Sequence, residues 1–86
     1  MPELSSSEAL SAFTETLKAV FRRIRTDQGM TLDDVARKAA VSRTTVDAIS
    51  SGKRVVNFYT AMRVLYAIDA SMSDIAEIMD AAGRGI

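Results

Sequence analysis

The stretch from Thr31 to Gly52, TLDDVARKAAVSRTTVDAISSG, constrains the fold more than any other part of the chain. It reads as two short helices joined by a tight turn, each opened by a hydroxyl residue suited to an N-cap. Thr31 caps the first, and Asp33 and Asp34 then lie in its opening turn, where carboxylates meet the positive end of the helix dipole. Ser42 caps the second, and Gly52 follows it where a left-handed C′ residue is wanted. Val35, Ala36 and Ala39 make one apolar stripe, and Val46 with Ile49 makes another at helical spacing. Ala36 is small where the two helices must approach closely, and Val41 is placed to plug the core under the turn.

Two capped helices of this length, about 32–39 and 43–51, with a short turn between them, match the helix-turn-helix arrangement, whose second helix can enter a DNA major groove. Three further helices are expected around them. The first follows Ser5-Ser6-Ser7-Glu8, a capping-box pattern, and ends near Asp27, before Gly29. Its apolar positions Leu10, Phe13, Leu17, Phe21 and Ile24 recur at helical spacing, and its extra N-terminal turns, with Leu4 and Leu10, either cover the core or meet a partner. The fourth, capped by Asn57, runs to about Ile68 and is expected to bury Phe58, Ala61, Met62 and Leu65. The fifth opens at Ser71 or Ser73 and is expected to bury part of Ile75, Ile78 and Met79. Val55-Val56 is too short for a strand. The expectation is an all-α, five-helix bundle forming a single domain over 1–86, with a helical core at 8–81 between tails at 1–7 and 82–86.

Composition narrows the function. An apolar fraction of 48% argues against disorder, and no apolar run approaches a membrane span. The chain holds neither Cys nor His, which removes the usual soft-metal sites, disulfides and thiol or imidazole catalysis, so no metal, cofactor or enzymatic activity is expected. The residues Met1 to Ser7 lack the basic and apolar regions of a signal peptide, and a cytoplasmic protein is expected. Net charge is zero, but residues 18 to 66 carry ten cations against four anions (Asp27, Asp33, Asp34, Asp47), while outside them seven anions face only Arg84. That segregation suggests a basic working face with acidic flanks.

From about Phe13 to Met79 the chain resembles the lambda-repressor/Cro-like helix-turn-helix family, also called the Xre family. The resemblance rests on Ile24-Arg25 and Gly29-Met30-Thr31, on Val35-Ala36 and Val41-Ser42-Arg43, and on Ile49 and Gly52-Lys53-Arg54. It continues through Thr60, Arg63 and the run from Ala67 to Ser71. There are departures. Leu32 stands where the family often has a phosphate-bonding Gln, Ala40 where the turn usually has Gly, Ser50 where Glu is common, and Asp69 in place of a helix-ending Gly.

The resemblance implies a lambda-repressor-like bundle that binds double-stranded DNA. Its base-reading positions fall on Arg43, Thr44 and Ala48. Arg43 has a planar fork matched to guanine O6 and N7, Thr44 offers a hydroxyl or a methyl, and Ala48 at most packs on a thymine methyl. Asp47, one turn beyond Arg43, either accepts from cytosine N4 or orients Arg43. Phosphate contacts are expected from Ser42, Ser51, Lys53 and Arg54, and from the backbone N–H groups opening the helices capped by Thr31 and Asn57.

So few long polar side chains on the reading helix would make a lone domain discriminate poorly, and a homodimer on a two-fold operator would compensate. Tyr59, Arg63 and Tyr66 on the fourth helix, and Met72, Ile75 and Met79 on the fifth, are the candidate pairing residues, since aromatics and Met are enriched in interface cores. The plainer alternative lays the Tyr rings flat over the core with wet hydroxyls and lets the fifth helix simply finish the core. Two functions fit. One is a small regulator of transcription, of the kind that includes phage Cro-like repressors, restriction–modification controllers and antitoxins. The other is a protein-binding module on the same fold, an antiactivator or antitoxin gripping its partner through acidic flanks. Arg43 and the basic patch favour the first; zero net charge, Leu32 and Ala48 keep the second open.

Overall fold

A computed structural model describes residues 6–83. It holds α1 (Ser6–Gln28), α2 (Leu32–Ala39), α3 (Arg43–Ser51), α4 (Phe58–Ala67) and α5 (Met72–Gly83), with no strand among the described residues. The fold is all-α, and its helix-turn-helix pair falls at the expected boundaries. α5 runs to Gly83, two residues beyond the expected end of the helical core. Leu4, the Ser5 cap and Arg84 lie outside the described residues. No helix among the described residues is long and apolar enough to cross a membrane.

Local chemistry delimits each helix. Thr31 and Asp34 form a reciprocal capping box: the Asp34 N–H donates to Thr31 Oγ1 at 3.1 Å, and the Thr31 N–H to Asp34 Oδ2 at 2.9 Å. Ser71 and Asp74 repeat it at α5, both bonds at 3.0 Å, which settles Ser71 rather than Ser73 as the cap. Ser42 Oγ accepts from the Thr45 N–H at 3.2 Å, and Asn57 Oδ1 from the Thr60 N–H at 2.9 Å. These bonds satisfy N–H groups that a helix start leaves orphaned.

Three of the helices end in a left-handed residue followed by a bond reaching five residues back. Met30 N–H donates to Arg25 O at 3.1 Å past Gly29, Val41 N–H to Ala36 O at 3.1 Å past Ala40, and Ala70 N–H to Leu65 O at 3.0 Å past Asp69. Ala40 (φ 56°) and Asp69 (φ 58°) thus stand where a Cβ is penalised, and they are two of the positions where the chain departs from the family's glycine. α3 ends at Gly52 (φ 67°), where an added Cβ would meet Lys18 Cδ at 3.1 Å.

α1 packs on α5 and α3, and α2 packs on α3 and α4. Their shared core contains Phe13, Leu17, Val20, Phe21 and Ile24 of α1, with Val35, Ala36 and Ala39, Val46 and Ile49, and Ala61, Val64 and Leu65 of the next three helices. Ile68 and Ile78 complete it, while Val41 and Leu32 are partly buried against it. Two expectations are corrected. Phe58 is 47% exposed and Met62 only partly buried, because the stripe that reaches the core is Ala61, Val64, Leu65 and Ile68, spaced i, i+3, i+4, i+7. Phe58 lies at the overhanging start of α4, its ring tilted against Phe13 at a centroid distance of 6.2 Å. Met79 is likewise exposed, and α5 buries Ile78, as expected, together with Ala81.

Candidate nucleic-acid interface

The turn between α2 and α3 brings the openings of the two helices together. Arg43, the first residue of α3, donates from Nε to Asp47 Oδ1 at 2.9 Å and from Nη1 to Asp33 Oδ1 at 2.5 Å, so α2 and α3 are joined at their N-terminal ends. These bonds, Asp47's first, hold the Arg43 guanidinium above its ordinary pKa, so it stays cationic. Thr44 and Asp47 are exposed beside it. Ala48 is not: at 8% exposure its methyl is buried. α3 packs against both α1 and α2, and its covered arc is therefore wider than the Val46/Ile49 stripe and takes in Ala48. A side chain so covered offers almost no surface to a thymine methyl.

The candidate phosphate residues gather next to this head. A shallow groove of about 250 Å³ is lined by Thr45 of α3, by Arg54, Val55, Val56 and Asn57 of the connecting loop, and by Thr60 of α4. Arg54 therefore shares one depression with the capped N-terminus of α4, whose free N–H groups and dipole favour an anion. Lys53 is exposed, its N–H held by Ser51 Oγ at 3.3 Å. Among the described residues neither Lys53 nor Arg54 has an ion-pair partner. Ser42 and Ser51 are exposed, and the Ser42 hydroxyl lies 2.9 Å from that of Thr45. Thr31 and Asp34 are occupied with each other, and Arg37 Nη2 bonds Asp34 Oδ1 at 2.7 Å. Leu32 turns inward, consistent with its apolar character.

Folding reduces the charge segregation seen along the chain. Arg23 on α1 bonds Asp74 at 2.6 Å and Glu77 at 3.4 Å on α5, and Lys38 lies 3.9 Å from Asp69. Acidic flank and basic middle thus meet in space, and among the described residues the cations without an ion pair are Lys18, Arg22 and Arg25 on α1, Lys53 and Arg54 in the loop after α3, and Arg63 on α4.

The candidate pairing residues divide. Tyr66 is 85% exposed and Met72 80%, and Tyr59 and Met79 are exposed too, which overturns the alternative that the Tyr rings lie flat over the core. Ile75 is half-buried. Arg63 turns its guanidinium back to the protein, Nη2 bonding the Ala39 carbonyl at 3.1 Å. Two residues of this region were not foreseen as part of the site: Asp33, read only as a helix-dipole carboxylate, and Thr45, left without a role.

A buried, capped two-helix unit with an exposed polar head on its second helix and free cations beside it defines a helix-turn-helix domain of the nucleic-acid-binding type. The chain belongs to the Cro/C1-type HTH DNA-binding domain family, whose model matches residues 21–81. That match starts within α1 and leaves the first fifteen of its 23 residues outside, although Phe13, Leu17 and Val20 there are core residues. No curated protein and no solved structure matches the chain.

Proposed function

We propose that the protein is a sequence-specific regulator of transcription that lays α3 in the major groove of an operator. Arg43 reads a guanine, Thr44 contributes a further base contact, and Asp47 orients Arg43. Lys53, Arg54, Ser42, Ser51 and the N-termini of α2 and α4 hold phosphates and fix the register. Ala48 is dropped from the reading set because it is buried. The observation that carries this reading is the pairing of an exposed Arg43 at the head of α3 with two unpaired cations, Lys53 and Arg54, in the adjoining loop. Such an arrangement supplies both base-edge and backbone contacts from one face.

The working unit we propose is a two-fold dimer on a palindromic operator, paired through the exposed Tyr59, Tyr66, Met72 and Met79 with Ile75 at their border, and acting as a repressor or autoregulator in the cytoplasm. A mobility-shift titration against DNA flanking its own coding region tests the reading. Retarded, saturable complexes that survive excess nonspecific duplex support it, and a shift that vanishes with competitor contradicts it.

One observation favours a second reading, a protein-binding module. Asp33 and Asp47 around Arg43 give the head of α3 a net charge of −1. A protein that shifts no duplex at low salt, yet forms a stoichiometric complex with a basic protein partner, would fit that reading instead.

A further inference from the structure

Arg43 is held from two elements at once. Asp47 belongs to its own helix, one turn along, but Asp33 reaches it across the turn from α2. A guanidinium carries five N–H groups in a fixed fork. Two of those are engaged here, and the rest remain for an acceptor from outside. Acceptors on DNA come in two kinds. A guanine edge is neutral, so O6 and N7 can take the remaining N–H groups while both carboxylates stay in place. A phosphate is anionic, and at the same N–H groups it would lie beside two carboxylates, in an interface where the dielectric is lower than in water.

Building on the reading of α3 as a DNA-reading helix, we infer that Asp33 is a positioning residue that determines specificity. With Asp47 it clamps Arg43, presenting the guanidinium to a base edge and denying it to the phosphate backbone. Lys53 and Arg54 provide the contrast within the same chain, since neither is held by a carboxylate among the described residues. The clamp is a binding device and not a stabilising one. Its side chains are 48% (Arg43) and 74% (Asp33) exposed, and ion pairs so exposed contribute little to folding.

The test uses two duplexes: the strongest one that the wild-type protein recovers from a randomised pool, and a scrambled duplex of the same composition. Affinities for both are measured by fluorescence anisotropy for wild type, Asp33→Asn, Arg43→Ala and the double variant. Asp33→Asn is expected to bind the scrambled duplex about three- to tenfold more tightly and to lose a similar factor of discrimination, with a thermal midpoint lowered by at most a few degrees as the carboxylate at the α2 dipole end is lost. In the Arg43→Ala background the same change should alter discrimination by less than about twofold, because the group it acts through is gone. Asp47→Asn serves as a second variant and should move discrimination in the same direction.

Unchanged discrimination in Asp33→Asn overturns the proposal. So does an equal loss on both duplexes, or an effect that persists without Arg43. If Arg43→Ala changes base preference and Asp33→Asn does not, the clamp alone fails. If Arg43→Ala changes nothing, or no duplex is enriched from the pool, the reading of α3 fails and the clamp fails with it.

Discussion

Arg63 of α4 donates from Nη2 to the carbonyl of Ala39 at 3.1 Å and so caps the C-terminal end of α2 with a positive charge. The orphan carbonyls and the negative dipole end of a helix both favour a cation there. Arg63→Ala is therefore expected to lower folding stability by about 1–2 kcal/mol in urea titration while leaving the molecular mass by light scattering unchanged. Unchanged stability with a loss of oligomer would return Arg63 to the pairing face.

The left-handed Ala40 and Asp69 are sites of stored strain. Ala40→Gly should stabilise the fold by about 0.5–1 kcal/mol, because removing the Cβ penalty outweighs the entropy that glycine adds to the unfolded chain. Asp69→Gly should gain less, since Asp tolerates this region better than Ala. Gly52→Ala should do the reverse and cost more than Gly29→Ala: both have positive φ, but only at Gly52 would the new Cβ crowd a neighbour, Lys18. Thermal midpoints of the four variants, compared in one buffer, check this order.

How much of this was legible in the sequence depended on the range of each interaction. The caps at Thr31, Ser42, Asn57 and Ser71 are bonds across three residues, and short-range rules located the first three of these helix starts and narrowed the fourth to Ser71 or Ser73. The burial of Val35, Ala36, Ala39, Val46 and Ile49 followed from helical periodicity. Periodicity was less informative for α4, where eight of ten positions are apolar, and for α5, where seven of twelve are, so that Phe58 and Met79 could be exchanged for Val64 and Ala81 without breaking the pattern. The burial of Ala48 was not legible from a single stripe, because a helix touching two neighbours buries a wider arc. Asp33 and Arg43 are separated by ten residues and a turn, and no spacing rule joins them.

Acid should weaken the fold through its capping boxes. The Asp34 carboxyl is held below its ordinary value of 3.8 by the backbone N–H of Thr31, then by the Thr31 hydroxyl and Arg37. Asp74 is held below it by the Ser71 N–H, then by the Ser71 hydroxyl and Arg23. Folded values depressed below unfolded ones mean a contribution fully present at neutral pH and lost as pH falls below about 4 through the folded values. Urea midpoints should stay level on this account down to about pH 5 and then decline. Asp34→Asn and Asp74→Asn should each be less stable than wild type at pH 7 and closer to it at pH 3; a constant difference would remove the carboxylates from the acid response.

Tyr66 is the cleanest probe of dimerisation, because at 85% exposure its replacement leaves the core untouched. Tyr66→Asp would place a charge in the proposed interface, which is unfavourable when it is buried unpaired. The expected outcome is a protein with wild-type helical circular dichroism, a one-chain mass by sedimentation and no cooperativity on a two-fold operator. A wild-type protein that already sediments as one chain, at concentrations that saturate the operator, would rule out the dimer.

The division of labour between Arg43 and the pair Lys53 and Arg54 is tested most directly by the salt dependence of binding to a selected operator. For wild type and single alanine variants, the logarithm of affinity is measured against the logarithm of salt concentration, with the operator and with single base-pair substitutions of it. Lys53→Ala and Arg54→Ala should each flatten the slope by about one unit and leave base preference intact. Arg43→Ala should keep the slope close to wild type and lose preference at one G·C pair per half-site, at a cost of roughly 1–3 kcal/mol on the operator. A flattened slope with intact base preference in Arg43→Ala, or altered preference with an unchanged slope in the other two, would contradict the account.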